Sequence, residues 1–139
     1  MFGCNQTVTI WNKWNNPATK KDEWFRFVVP VLARWKYHTE RSVSGTSASV
    51  VNTIIAIIPP SEKYLPEQEW KALADKSKGF TLQKGDLLAL GEHDTEITGV
   101  TPFRESDVKA LLSPDVMTVK SIKDNTLTAH GKHFKVEGF

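Results

Sequence analysis

The side chains best suited to proton transfer or metal binding here are four histidines, His38, His93, His130 and His133. His130 and His133 stand three apart, but no Cys or further His follows at the spacing a tetrahedral zinc site needs. In a strand that separation also sends the two rings to opposite faces. Glu92-His93-Asp94 sets two acids beside a base. Acid–base catalysis needs groups that converge in space, however, and no motif places a nucleophile beside them. Cys4 lacks a partner motif and lies near the terminus. The eight glycines form neither GxGxxG nor GxxxxGKS/T, and Lys84-Gly85 reads as a turn between strands. The reading is a chain without catalytic residues, metal or cofactor, and not an enzyme.

The aromatic residues suggest binding instead. Five tryptophans are present. Trp11 and Trp24 oppose the expected buried faces of their strands, and Trp14 lies in the polar run Asn12 to Pro17. With Lys13, Lys20, Lys21 and Arg26 they could stack the bases of a single-stranded nucleic acid, as an OB-like domain does. They could equally anchor a protein–protein interface, where Trp and Arg concentrate. The modest charge and the absence of an RNP1 motif favour the protein interface. Ile54 and Ile58 join Trp11, Trp14 and Trp24 as candidate interface residues.

The chain that must position these groups has 139 residues, 40% hydrophobic and 24% charged, which suits one globular domain over 1–139. The longest apolar run, Ile54 to Ile58, is far short of the ~20 residues a membrane helix needs. The N-terminus lacks the pattern of a secretory signal, and a single cysteine excludes an internal disulfide framework. The expectation is a soluble protein with no membrane partner. Net charge is +2, but residues 1–45 carry +4 and the remainder −2. That density could lie near a polyanion without being a basic tail.

Odd positions from Phe25 to Tyr37 are all apolar or aromatic, which predicts one buried face for a long strand. Its core residues would be Phe25, Phe27, Val29, Val31, Trp35 and Tyr37, and Pro30 would bend or split it. Further strands are expected over Gln6 to Asn12, Val50 to Ile58 (covered on both faces), Phe80 to Gly91 with a turn at Gly85-Asp86, and Val116 to Ile122 paired with Thr126 to Val136. Pro66 marks the first position of a short helix, with Trp70, Leu73 and Ala74 on one face. Ser106 would cap a second helix, Asp107 to Leu112. The polar stretch Thr39 to Ser49 reads as a projecting loop, and Glu92 to Glu105 as a second surface loop. The fold class is mostly β: a small barrel or sandwich with a long bent ribbon and one or two short helices.

Taken in order, the VTIWNKW strand, the EWFRFVVPVLARW ribbon, a strand ending in IIPP, YLPEQEWKAL, FTLQKGDLLALGE and the VKSIKDN…HFKVEG hairpin resemble small structural proteins of the head–tail connector in tailed phages of Gram-positive hosts. The resemblance implies a non-enzymatic virion component, found in the host cytoplasm during assembly. Its role would be that of a head-completion or stopper protein: a ring subunit between the portal or adaptor and the tail, in non-specific contact with packaged DNA. A tail terminator is the neighbouring alternative. On this reading Glu40, Arg41, Ser42, Val43, Ser44, Gly45, Thr46 and Ser47 form a loop that reaches into the DNA channel.

Overall fold

In the computed structural model, residues 4–44, 47–126 and 132–139 are described, and of 38–44 and 47–52 the backbone alone. Among the described residues seven strands form one antiparallel sheet: β1 (Val8–Asn16), β2 (Lys21–Val28), β3 (Arg34–Ser44), β4 (Ser47–Ile58), β5 (Leu87–Leu90), β6 (Val116–Asp124) and β7 (Phe134–Gly138), in the order β2-β1-β5-β6-β7-β4-β3. Two short helices, α1 (Glu67–Lys71) and α2 (Glu105–Leu112), complete the described elements with a 3₁₀ turn at Lys76–Lys78. The chain is mostly β, as its residue pattern requires.

The sheet folds over on itself so that its two halves face each other. Val8, Ile10, Leu88 and Met117 from one half meet Trp35, Ala56, Ile58 and Val136 from the other in one buried core. The arrangement is a sandwich and not a closed barrel. Among the described residues the side of the sandwich opposite β6 is bridged where Gln6, just before β1, pairs antiparallel with Ala33, just before β3. There Gln6 and Ala33 exchange backbone hydrogen bonds of 2.9 and 2.6 Å, and the Gln6 side chain accepts from the Trp35 amide.

The expected long ribbon does split at Pro30: β2 ends at Val28 and β3 begins at Arg34. Proline has no amide hydrogen to give a ladder, so the chain leaves one sheet edge there and enters the opposite one. The odd-position face stays inward through Val29, Ala33 and Trp35. It ends there. Tyr37 is 55% exposed, at the rim of the sandwich, with its hydroxyl on the Asp115 carboxylate.

Other expectations shift. Strand β1 runs on to Asn16 and makes an eight-pair hairpin with β2, so the polar run around Trp14 is strand. Phe80 to Gln83 is not part of a ladder strand; Phe80 makes only an isolated bridge to Tyr64. Helix α2 begins two residues early. Asp107 accepts from the Arg104 amide, so Arg104 and not Ser106 is the cap. The terminal hairpin forms as β6 with β7; 127–131 of its expected length lie outside the described residues.

Gly138 shows what holds that hairpin. It opposes Val119 beside a register shift, and a Cβ there would overlap the Thr118 carbonyl oxygen. Only glycine lets the two backbones approach this closely. Gly138→Ala is therefore expected to cost about 3 kcal/mol or more by forcing β7 off β6. Urea unfolding checks this, and a loss below about 1 kcal/mol would mean the strands separate without strain.

Candidate functional site

The feature that stands apart from the packed body is the β3–β4 ribbon. These strands pair from Arg34↔Ile57 to Ser44↔Ser47, but β7 flanks β4 only over Ile54 to Ile58. Seven rungs, from His38↔Thr53 to Ser44↔Ser47, thus have ladder partners only in one another among the described residues. At ~3.4 Å per residue they extend ~24 Å. The stretch Thr39 to Ser49, expected as a loop, is ladder up to Ser44 and again from Ser47. Gly45 and Thr46 lie outside the described residues, as do the side chains of Glu40, Arg41, Ser42, Val43, Ser44 and Ser47. The ladder is made by backbone groups, so low apolar content did not exclude it. The pertinent signal was β-branched Val43 before Gly45 and Val50-Val51 after it, within an otherwise polar stretch.

The candidate interface residues do not come together. Cross-strand neighbours share a face, so the register Lys13↔Trp24 and Trp14↔Glu23 puts Trp24 and Trp14 on opposite sides of the β1–β2 hairpin. Trp11 shares the Trp24 face but is fully buried, and its indole N–H donates to the Thr95 carbonyl at 2.8 Å. Lys76 lies 4.0 Å over the Trp14 ring, and Lys13 5.5 Å over Trp24. Ile54 and Ile58 belong to the central core. Neither a stacking platform nor a tryptophan-anchored interface is built from this set.

The reason is a second layer. The outer face of β1, β5 and β6 carries Trp11, Leu87, Ala89 and Val116, covered by Ile97 from the loop after β5 and Val108 from α2. Alternation along β1 therefore has no solvent face at Trp11. The signals missed were Val108 and Leu112, four apart on α2, with Ile97 among the apolar residues of the loop before it.

That loop also holds Glu92-His93-Asp94. Its backbone is pinned: the His93 amide donates to Thr9 Oγ1, and Arg26 reaches the His93 carbonyl at 3.0 Å and Glu96 at 2.8 Å. The His93 ring is 2.8 Å from the Leu90 carbonyl. Two shallow grooves, about 320 and 360 Å³, meet at Asp94. His133 is 3.1 Å from the Asn125 amide, while His130 and the His38 ring lie outside the described residues. No group of three metal-ligating side chains occurs among the described residues. The Cys4 thiol, half-buried, is 3.9 Å from the Ile57 carbonyl.

The one strongly displaced titration belongs to Asp86, in the turn expected at Gly85-Asp86. Its carboxylate is fully buried and accepts from the Asn12 amide at 2.8 Å, the Lys13 backbone at 2.9 Å and the Gln83 backbone at 3.0 Å. Burial raises its pKa from 3.8 to about 7 against the pull of those donors. The group ties β1 to the approach of β5 through these three hydrogen bonds.

No described helix is long and apolar enough to cross a membrane. No curated protein and no solved structure matches the chain. Residues 3–139, nearly the whole length, match the model of DUF6751, and the chain belongs to that family of unknown function.

Proposed function

We propose that this chain is a non-enzymatic structural subunit of a tailed-phage head–tail connector, a stopper or head-completion protein that works as one member of a ring. The observation that carries this reading is the ribbon with seven rungs and, among the described residues, no third strand. A two-stranded hairpin is marginally stable in water, so such a ribbon gains order from neighbouring chains. Rooted in a packed sandwich, its copies in a ring converge toward the axis, where they obstruct packaged DNA. The motif order adds support: EWFRFVVPVLARW spans β2, the Pro30 corner and β3, and the KGD unit is the Asp86 turn. The partners are further copies of the chain, the portal or adaptor on one side and tail proteins on the other; DNA is touched without sequence reading, and the setting is the virion and, before it, the host cytoplasm. A tail terminator would be the same kind of ring placed one step further down. The single-strand-binding reading loses its platform with Trp11 buried.

The test replaces Ser42 to Ser47 with a two-residue turn, which shortens the ribbon and leaves the core untouched. Circular dichroism is expected to be unchanged while particles carrying the variant leak DNA or fail to join tails. Particles that assemble and retain DNA normally would remove the ribbon from channel closure. A gel shift with single-stranded oligonucleotides at moderate salt is expected to show no complex.

A further inference from the structure

One outer face of the sandwich carries unpaired basic side chains, and the loop over the other carries unpaired acidic ones, among the described residues. Because both halves turn their inner faces to one core, their outer faces point to opposite sides of the molecule. On the β3-β4-β7-β6 side the register aligns Arg34, Ile57, Lys135 and Lys123 in one row and Lys36, Ile55, Glu137 and Ser121 in the next. Lys135 is paired with Glu137 at 3.0 Å. Arg34, Lys36 and Lys123 are exposed and make no ion pair among the described residues. Neither helix covers this face: Trp70 of α1 meets Phe25, and Val108 of α2 belongs to the second core.

On the other side lies the loop after β5. Arg26 neutralises Glu96 and Arg104 neutralises Asp107, which leaves Glu92 and Asp94, both exposed, without an ion pair among the described residues. They border the grooves that meet at Asp94, and Phe103, 44% exposed, lines the far end.

We infer that the basic face of β3-β4-β7-β6 docks on the acidic grooves of residues 92–103 of a second copy of this chain, head to tail. Like faces would set like charges opposite each other, so an isologous dimer is disfavoured. The two faces point away from each other, so both are occupied at once. The contact is heterologous and repeats from copy to copy until it closes. A second copy also matches the apolar part of each surface, half-buried Ile57 on one and Phe103 on the other, for which a nucleic-acid backbone has no counterpart. This inference rests on the ring reading above and names the interface that the ring would use.

The experiment uses the full chain in sedimentation velocity, with a basic-face reversal (Arg34→Glu with Lys36→Glu) and a groove reversal (Glu92→Lys with Asp94→Lys). Wild type is expected to self-associate, and more weakly as salt rises past physiological strength. Each reversal alone is expected to remain monomeric, and an equimolar mixture of the two to associate again. Carbodiimide coupling of the wild type, which needs no variant, is expected to join Lys36 of one copy to Asp94 or Glu92 of another. Reversals that associate like wild type, or no such cross-link in an associated sample, would overturn the interface and leave the ring reading standing. A wild type that stays monomeric at every salt and protein concentration would remove both. A basic-face reversal that loses only binding to duplex DNA would reassign that face to a polyanion and overturn the inference.

Discussion

Replacing Trp11 with alanine is expected to cost about 3–5 kcal/mol, among the largest losses from one substitution in this chain. The side chain is fully buried between β1 and the layer formed by Ile97 and Val108, so its removal leaves a void that small neighbours such as Ala89 cannot fill. It also strands the Thr95 carbonyl, which accepts the indole hydrogen at 2.8 Å. The loss should be uneven: the loop after β5 loosens while the central core, to which Trp11 does not belong, stays packed. Trp11→Phe keeps most of the volume and forfeits the hydrogen bond, so its cost is expected to fall well below that of alanine. Urea midpoints for the three proteins check the order. A loss under about 1 kcal/mol for Trp11→Ala would mean that the second layer contributes little to folding.

The second large effect is a dependence of stability on pH that runs opposite to ordinary acid denaturation. Asp86 has a folded pKa of about 7 against 3.8 for an ordinary aspartate, because burial disfavours its charge more than three donors stabilise it. The folded chain therefore holds this proton where the unfolded chain has lost it. The stabilisation is fully present below about pH 4 and disappears as pH rises through about 7, a change of about 4 kcal/mol across the window. Asp75, Asp107 and Asp124 are held below the ordinary carboxylate range by hydrogen bonds from Ser77, Arg104 and Thr126, so their contributions fade only in stronger acid. Wild type should accordingly unfold at higher urea at pH 5 than at pH 8, with Asp86→Asn nearly flat between the two. Equal or greater wild-type stability at pH 8 would show that the three donors keep Asp86 ionised when folded.

What could be read from residue order and what could not divide along physical lines. The inward face from Phe27 to Trp35 was legible because the period-two alternation persists through β2, the Pro30 corner and the start of β3. Pro30 was legible because it lacks a donor. Tyr37 departed from the pattern because β3 outruns the core, and nothing local marks where a partner sheet ends. Trp11 was misread because its burial depends on α2 and the loop after β5, roughly eighty to a hundred positions away. Asp86 was recognised as a turn residue, yet its burial depends on Asn12 and Lys13 of a distant strand. The proposed docking face shares this limit: it exists only once Arg34, Lys135 and Lys123 are brought into one row by the strand order, which no single segment encodes.

The Gln6–Ala33 bridge has a mechanical consequence. On one side the halves of the sandwich are joined through the continuous strand β6, while on the other they meet at this bridge and the Gln6–Trp35 bond. The sandwich is thus continuous through β6 and latched opposite it, and the β3–β4 ribbon, which leaves the body beside the latch, projects as an arm. A rotation of about 5° at its root would carry the far end of the seven-rung ribbon, ~24 Å away, through about 2 Å. A small adjustment at the latch, set by one glutamine, is multiplied at the ribbon end into a displacement wide enough to admit or exclude a side chain.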